Sequence, residues 1–515
     1  MPRLSLVKPN IYQDSVRLMR LSQTVSDLAG VRHAFVAMGT DGTKRVLDEA
    51  GLLTDEVRAS GANDLFVVVE AETPPAAQAA LEQVEQLLLD SHPAQAGGGA
   101  AVARPKTQEQ AARQLAGANL VLISVPGAFA ALEAAKALHA GRHVFLFSDN
   151  VSRDDERALK ELAVSKGLLM MGPGCGTAVI NGTALAFANV LQRGPVGIVG
   201  ASGTGLQELT TLIDRGGVGI SQAIGVGGRD LSEAIGGRMM LYGLSLLAGD
   251  PQTEVVVLIS KPPHPSVAPK VLAAARAAGK PVIINFLGNP DIGSKDGLLF
   301  TGTIEDTAQA VLRHIQGAGF GDIALPAAAL GPMAAAERAR LKPGQRYLRG
   351  LFSGGSLCDE AMKLLEAQLG GIYSNIALTP DWALADAWHS RGHCCVDLGE
   401  EEFTRGRPHP MIDLRLRQDR MLHEADDPEV AAILLDVVIG YGSHADPAGA
   451  LQETIRQAKA RAAAAGRYLP VVAHVCGTMQ DPQNLVEQER RLRAAGALVL
   501  PTNAQAARVA AAIVG

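Results

Sequence analysis

The feature that most constrains the fold of this 515-residue chain is the alternation of short apolar runs with helical patterns. The stretch 171–237 shows it best, because the run GPVGIVG is followed by the turn ASGTG, a helical pattern and a further apolar run, SQAIGVG. Such alternation is typical of βαβ units with a parallel sheet. Because 515 residues exceed what one hydrophobic core usually serves, the sequence predicts a multidomain α/β protein.

Composition and charge exclude several classes of protein. The chain has 47 basic and 53 acidic residues without long runs of either sign, and only 4% of its residues are aromatic. We therefore expect no nucleic-acid partner and no membrane surface as a partner. No window approaches the ~18 apolar residues of a membrane span, and the start has no signal-peptide core. The sequence predicts a cytoplasmic protein.

The cysteines favour reduced thiols. There are five, an odd number without CxxC spacing: Cys175, Cys358, Cys394, Cys395 and Cys476. Cys394 and Cys395 follow His393, but two neighbouring residues of a strand point to opposite faces. We therefore expect no metal site there.

The periodicity divides the chain into segments. A small α/β unit comes first, with helices predicted over 14–28, 44–49 and 75–89 and strands over 33–38 and 64–71. Residues 92–105 break the pattern and read as a linker, as do the Ala-, Pro- and Gly-rich residues 317–344. Between and after these segments, βα units recur, including a predicted helix over 231–247.

Two strand–turn–helix segments are candidates for binding a phosphate. Glycines allow close backbone approach and positive φ, while the first N–H groups of a helix favour an anion. The two turns resemble counterparts, and two helix N-termini that converge on one anion would form a site. The alternative is that any βα turn favours Gly and Ser. The candidate phosphate ligands are Gly200, Ser202, Gly203, Thr204 and Gly205 in the first turn, and Gly440, Gly442, Ser443 and His444 in the second, before a helix predicted to start near Asp446.

Longer motifs carry a resemblance to a known family. MGPGCGT, GPVGIVGASGTG and DPQTEVVVLIS resemble the α subunit of succinyl-CoA synthetase, and CVDLGEEEF and AAILLDVVIGYGSHADP resemble the carboxy-terminal domain of its β subunit. With GTALAFANV, IGVGGRDLS, ISKPP and GRPHPMID, the combination closely resembles the FdrA family along nearly the whole chain.

The resemblance implies a fold and a set of domains. It implies a multidomain α/β protein with a Rossmann-like CoA-binding-type domain, two flavodoxin-type domains like those of succinyl-CoA synthetase, and a small N-terminal α/β unit. The corresponding segments are the unit 1–91, a linker 92–105, the CoA-binding-type domain 106–190, an α-type ligase domain 191–316, a linker 317–344 and a β-type domain 345–515.

Departures from the synthetase bear on the chemistry. The synthetase carries a phosphorylated histidine in a loop where this chain reads NPDIGSKDGLLFTG, which contains no histidine. Lys261 stands where the synthetase has an acidic residue, and the ATP-grasp portion is missing. Coenzyme A binding is therefore doubtful, and we expect no required cofactor; phosphate or carbamoyl phosphate is expected as a reactant.

Four residues are candidates for catalysis. Lys261 would neutralise a phosphate or an oxyanion, or is a solvated residue at a strand end. Cys175 lies between glycines and is either an accessible thiol with a lowered pKa or a small buried residue. Arg407 is suited to bind a carboxylate or phosphate, and His409 to shuttle a proton. Residues 406–413, GRPHPMID, would otherwise be a surface loop with Asp413 as a cap.

The resemblance also implies a reaction. It implies one subunit of a carbamoyltransferase in allantoin catabolism that converts oxalurate and phosphate into oxamate and carbamoyl phosphate. Companion subunits and a homo-oligomer are expected. The alternatives are an acyl-CoA synthetase subunit or CoA-binding protein, and a scaffold or regulatory subunit without catalysis.

Overall fold

The computed structural model describes residues 2–11, 13, 15–26, 28–49, 51–89, 105–289, 292–317, 323–404 and 407–515. These residues form two compact units. Unit 1 comprises Met1–Ala111 and Glu400–His409, and unit 2 comprises Ala112–Gly399 and Pro410–Gly515. All but the last residue of the predicted linker 92–105 lies outside the described residues. No helix in the described ranges is long and apolar enough to cross a membrane.

Unit 1 is built on a three-stranded antiparallel sheet of order β1-β3-β2. Alternate residues of β3 point to opposite faces of the sheet and enter two separate hydrophobic cores. Val67 and Val69 pack with α1 and α4, and Phe66 and Val68 pack with α2 and α3. The sequence did not predict β1, whose six residues mix polar and apolar side chains. The elements are β1 (Arg3–Lys8), α1 (Ser15–Ser26), β2 (Val31–Met38), α2 (Asp41–Glu49), α3 (Asp55–Ala59), β3 (Leu65–Ala71) and α4 (Pro74–Leu89).

A short parallel sheet of order β4-β5-β6 begins unit 2, after α5 (Gln108–Gln114). Its buried strands contribute Val144, Phe145 and Met170 to a core shared with the next sheet. The elements are β4 (Leu120–Ile123), α6 (Gly127–His139), β5 (His143–Leu146), α7 (Arg153–Ser165) and β6 (Met170–Met171).

An eight-stranded sheet with helices α8–α11, which we call the first half, follows in the order β13-β14-β12-β11-β9-β10-β7-β8. Helix α9 begins at Arg238, seven residues after the predicted start, because Gly236 and Gly237 both adopt positive φ. The elements are β7 (Thr177–Ile180), β8 (Thr183–Ala186), β9 (Arg193–Ala201), α8 (Gly203–Arg215), β10 (Ile220–Gly225), α9 (Arg238–Gly249), β11 (Val255–Ser260), α10 (Ala268–Arg276), β12 (Val282–Phe286), β13 (Gly293–Lys295), β14 (Leu298–Phe300) and α11 (Ile304–Gln316).

A five-stranded parallel sheet of order β16-β15-β17-β18-β19, which we call the second half with its helices, completes unit 2. Helix α12 lies within the predicted linker 317–344, so that part of the prediction was wrong. The elements are α12 (Ala327–Arg338), β15 (Tyr347–Phe352), α13 (Gly355–Leu369), β16 (Cys394–Asp397), α15 (Arg415–Asp426), β17 (Val430–Val438), α16 (Pro447–Ala464), β18 (Val471–Cys476), α17 (Leu485–Ala494), β19 (Ala497–Leu500) and α18 (Asn503–Val514), while α14 (Glu401–Thr404) belongs to unit 1.

The two halves repeat one topology. Strands β14-β12-β11-β9-β10 of the first half correspond, in order, to β19-β18-β17-β15-β16 of the second. The turn after β9 at Gly200 therefore corresponds to the turn after β15 at Ser353, and the turn after β17 at Gly440 corresponds to Lys261 after β11. This corrects the sequence analysis, which treated the turns at Gly200 and Gly440 as counterparts. Doubly wound sheets bind ligands at the carboxyl ends of such strands.

A buried ion cluster links α7 to the loop before α9. The Lys160 Nζ lies 2.8 Å from both Glu156 Oε1 and Asp230 Oδ1 and donates to the Val226 carbonyl at 2.9 Å. All three charged side chains have no exposed surface. Asp230 also accepts the backbone N–H of Met240 at 2.9 Å. Because a buried charge without its partner is costly, the cluster stabilises the contact between the short parallel sheet and the first half.

We predict that Lys160→Met lowers the free energy of unfolding by about 3–5 kcal/mol, because the buried Asp230 carboxylate loses its cation and Glu156 keeps only the partly exposed Arg229 at 2.9 Å. Arg157→Met on the same helix is the control, since its ion pair with Asp154 is exposed and should contribute less than about 1 kcal/mol. Urea unfolding of the three proteins measures both effects. Equal losses in the two variants would contradict the importance of the buried cluster.

Candidate functional site

The first predicted turn lies between β9 and α8 and is shaped by close contacts. A Cβ at Gly200 would lie 2.7 Å from the Leu206 side chain, and a Cβ at Gly205 would overlap the Ser202 hydroxyl. Gly200, Gly203 and Gly205 are not among the glycines with positive φ. Gly200 and Gly205 are therefore needed for close approach and not, as the sequence analysis also allowed, for a left-handed backbone, while a Cβ at Gly203 would make only an ordinary contact, 3.9 Å from Thr177.

The equivalent turn of the second half, between β15 and α13, was not predicted as a site. A Cβ at Gly354 would overlap the Thr204 side chain, so the absence of a side chain there lets the two turns approach each other. The backbone N–H of Ser353 donates to the Asp436 carboxylate at 2.8 Å, and Arg417 pairs with that carboxylate inside the core. A buried ion pair thus fixes the start of this turn.

The N-termini of α8 and α13 meet directly. Ser202 Oγ and Ser356 Oγ are 2.6 Å apart, and both residues are buried. The N-cap residues Ser202 and Gly354 make no side-chain capping bond, so the first N–H groups of both helices lack the usual cap. The Thr204 hydroxyl, in a residue that is 7% exposed, has no hydrogen-bond partner. Two uncapped helix N-termini and a hydroxyl without a hydrogen-bond partner can together donate hydrogen bonds to a bound anion.

The second predicted turn, at Gly440, lies elsewhere on the second half. Gly440 and Gly442 have φ of +115° and +79° and pack against Ala188, Asn189 and Phe187. The Gly440 N–H donates to Gln483 Oε1 at 3.0 Å. His444 Nδ1 accepts the backbone N–H of Asp446 at 3.0 Å, and Ser443 Oγ is buried without a hydrogen-bond partner.

The helix after this turn begins as predicted, but its N-terminus is occupied. Asp446 is the N-cap of α16, and its carboxylate accepts the Gly449 N–H at 3.0 Å. Arg491 pairs with the same carboxylate. Because a carboxylate already satisfies this helix end, the direct partner of the α8 turn is the α13 turn at Gly354 and Ser356.

Lys261 joins the two halves beside the paired helices. Its Nζ lies 2.6 Å from Asp359 Oδ2 in the second turn of α13, and the two side chains are 57% and 4% exposed. Asp359 therefore holds a lysine from the first half against a helix of the second. Lys363 donates to the Leu287 carbonyl one turn further along α13, and burial lowers its pKa.

Cys175 is a buried thiol. It lies against the carbonyls of Thr177 and Gly225, each 3.4 Å from Sγ. Burial raises the pKa of Cys175 to about 12, which contradicts the suggestion of an accessible thiol with a lowered pKa. All five cysteines are buried. In the ranges that the structure describes, no group of three or more His, Cys, Asp or Glu side chains is arranged to hold a metal ion.

Arg407 and His409 belong to unit 1, whereas the paired turns and Lys261 belong to unit 2. Gly406 lies outside the described residues. Asp413, the third polar residue of this motif, pairs with Arg415 at 2.5 Å and accepts its backbone N–H. Asp413 thus binds the first N–H group of α15, although the N-cap residue of that helix is Leu414, while the roles of Arg407 and His409 stay predictions.

Family comparisons describe three parts of the chain. Residues 1–105 match the model described as "AllF, heavy metal-associated domain", and that range contains no cysteine. Residues 192–288 match "CoA binding domain", and residues 351–513 match "CoA-ligase". The CoA-binding match therefore begins near β9 and not within 106–190. Together with the parallel sheets, these matches confirm the predicted α/β fold class.

Among solved structures, the chain matches the apo form of dinucleotide-forming acetyl-coenzyme A synthetase 1 from Candidatus Korarchaeum cryptofilum. It is 16% identical and covers 77% of this chain and 82% of that chain, with a TM-score of 0.31. ATP citrate lyase from Methanothrix soehngenii, in complex with citrate and coenzyme A, is 18% identical over 41% of this chain and 38% of that chain, with a TM-score of 0.32.

A full-length relative is more informative. Protein YahF of Escherichia coli K12 is 47% identical over 496 residues, which cover 96% of this chain and 95% of YahF. The chain therefore belongs to the family of YahF, with an AllF-type N-terminal domain followed by CoA-binding and CoA-ligase domains.

Proposed function

We propose that this chain is the phosphate-binding subunit of an acid–thiol ligase-type enzyme that transfers an acyl group to or from phosphate. One observation carries the proposal: the N-termini of α8 and α13 meet without capping side chains, and the buried Thr204 hydroxyl beside them has no partner. The anion ligands would be the first N–H groups of both helices with Ser202, Thr204 and Ser356. The CoA-binding and CoA-ligase matches support the reaction class.

The arrangement suits transfer by positioning and charge stabilisation. In the direction that forms a thioester, a thiol sulfur would attack the carbonyl carbon of an acyl phosphate. The bond between that carbon and the phosphate oxygen would break, and phosphate would leave toward the helix N–H groups. The thiol proton would pass to the departing phosphate or to water. Lys261, which Asp359 holds beside α13, would stabilise the oxyanion that forms on the carbonyl. Coenzyme A is the thiol that the matched domain descriptions suggest.

A second candidate is the oxamate carbamoyltransferase reaction. It is favoured by Lys261 in place of an acid, by the missing histidine in residues 289–302, and by the AllF description of residues 1–105. A phosphate oxygen would attack the carbamoyl carbon of oxalurate, the bond to the oxamate nitrogen would break, and a proton would move from phosphate to that nitrogen. The roles that the sequence analysis gave to Arg407 and His409, carboxylate binding and proton transfer, belong to this reaction and stay predictions. Companion subunits and self-association are proposed for this activity.

We predict that Thr204→Val weakens the binding of inorganic phosphate by roughly ten- to a hundredfold, because one hydrogen bond to a charged group contributes about 1.5–3 kcal/mol. Stability should not fall, because the Thr204 hydroxyl has no partner to lose. Thr210→Val on the same helix is the control: its hydroxyl donates to the Leu206 carbonyl, so stability should fall while phosphate affinity is kept. Isothermal titration and urea unfolding give both values. If Ser443→Ala weakened phosphate binding and Thr204→Val did not, the site would lie at the Gly440 turn instead.

The two reactions are separated by ligand and substrate. For the ligase reaction we expect coenzyme A to bind the chain and carbamoyl phosphate to bind no better than phosphate. For the carbamoyltransferase reaction we expect phosphate-dependent consumption of oxalurate, measured with the companion subunits, and a loss of at least tenfold in Lys261→Met. If the chain bound none of the three ligands (phosphate, carbamoyl phosphate and coenzyme A), both reactions would be excluded.

The thiol of Cys175 is not part of either proposed reaction. Because its pKa is raised to about 12, almost no thiolate exists near neutral pH. We predict that Cys175→Ala keeps full activity, and that a thiol reagent labels the folded protein at none of the five buried cysteines but labels all of them in urea. Loss of activity after selective modification of Cys175 in the folded protein would contradict this.

A further inference from the structure

Two buried glutamates occupy equivalent places on the paired helices. Glu208 is the sixth residue of α8, which begins at Gly203, and Glu360 is the sixth residue of α13, which begins at Gly355. Both side chains are buried. Neither glutamate was selected from the sequence, where each simply extends a helical pattern. The duplicated topology makes their equivalence visible.

Each glutamate binds the first N–H group of a helix from the opposite half. Glu360 Oε1 accepts the backbone N–H of Ile304, the first residue of α11 in the first half, at 2.6 Å. Glu208 Oε1 accepts the backbone N–H of Asn503, the first residue of α18 in the second half, at 3.3 Å. Each of the two helices with an uncapped N-terminus is therefore bound to a helix of the opposite half, α13 to α11 and α8 to α18, about one turn from the place where α8 and α13 meet.

The two links differ in their countercharge. Glu208 Oε2 lies 2.7 Å from His474 Nε2 of β18, whose ring has 1% exposure. Although burial acts to raise it, the charge and hydrogen bond of His474 bring the pKa of Glu208 below its ordinary value. Glu360 Oε2 instead accepts the neutral amide N–H of Asn503 at 2.8 Å.

Among the described residues, none of the charged groups around Glu360 pairs with it as His474 pairs with Glu208. From α11, the buried Glu305 faces it and is already paired with Arg508 of α18 at 3.2 Å. From α8 and β18 it faces the Glu208–His474 pair, and its own helix contributes Lys363 and Asp359, the latter paired with Lys261. Burial, opposed by the hydrogen bonds from Asn503 and Ile304, raises the pKa of Glu360 to about 7.

We propose that Glu208 and Glu360 are positioning residues, reciprocal links that hold the N-terminal turns of α8 and α13 against each other, and that the Glu360 link loosens when its carboxylate takes up a proton. A neutral carboxyl group is a weaker acceptor for the Ile304 N–H than a carboxylate. The Asn503 Oδ1 atom is buried and has no hydrogen-bond partner. It offers an acceptor for the new O–H once the Asn503 amide has rotated, a rotation that also breaks its bond to the Leu357 carbonyl.

The direction of the pH dependence follows from the raised pKa. An unfolded glutamate titrates near 4.5, whereas Glu360 in the folded chain titrates near 7. Between these values the folded chain holds a proton that the unfolded chain does not. Stability from Glu360 is therefore greatest at low pH and is lost as the pH rises toward about 7, while the link itself becomes stronger.

The test uses the full chain and no ligand, so its outcome does not depend on the proposed phosphate site. Urea unfolding midpoints are measured from about pH 5 to about pH 8 for the wild type, Glu360→Gln and Glu366→Gln. Glu366 lies exposed on the same helix and is the control. We expect the stability of the wild type and of Glu366→Gln to fall across this range, with a slope against pH that corresponds to nearly one proton more bound in the folded than in the unfolded chain. Glu360→Gln should lack this contribution to the slope.

A Glu360→Gln variant that kept the wild-type slope would overturn the proposal. If this variant does not fold, Asn503→Ala gives the answer, because removing the amide donor should move the transition to higher pH. An unchanged transition in Asn503→Ala would also overturn it. Hydrogen exchange of the Ile304 amide adds a second measurement. If Glu360 had a purely structural role, the protection of this amide would not change with pH. Protection of the Ile304 amide, corrected for intrinsic exchange, should rise severalfold between about pH 6 and about pH 8.

Discussion

The meeting of the α8 and α13 N-termini is the contact on which the rest of unit 2 depends. Each helix end carries about half a positive charge, so placing two of them together is unfavourable unless negative groups lie close by. The structure supplies carboxylates within the first two turns: Asp359, Glu208 and Glu360 on the helices themselves, and Asp397, whose Oδ2 would lie 2.8 Å from a Cβ on Gly355. These carboxylates surround the turns but leave the first N–H groups without side-chain caps.

The duplicated topology explains how this contact is reached. In both halves, a strand in the same position of the sheet leads into the uncapped helix, and the two helices approach each other across Gly354 and Thr204. Buried carboxylates on each side then bind backbone N–H groups of the opposite half. A phosphate bound at this place would accept hydrogen bonds from the first N–H groups, which the carboxylates leave without side-chain caps.

The sequence predicted the first of these turns and missed the second for a definite reason. GASGTG and the strand before it have a clear local pattern, and the α/β class follows from alternation alone. LFSGGSL and VIGYGSHADP have almost the same pattern, so only strand order separates the turn that meets α8 from the turn that does not. The Asp446–Pro447 pair was an available signal, because an aspartate followed by proline marks a helix whose N-terminus is already capped. Burial of Cys175, by contrast, depends on packing between sheets and could not be read from its neighbours.

Unit 1 contains chain from two distant places, Met1–Ala111 and Glu400–His409. The 288 residues between them (400 − 111 − 1) must be synthesised before the second segment exists. At translation rates of about 5–20 residues per second, this takes roughly 14–60 s. Residues 1–111 are therefore without the second segment of their unit through that interval, while most of unit 2 is still being made. Unit 1 can thus be complete only once synthesis has passed residue 409, so the completion of the first domain depends on a segment that lies within the last one.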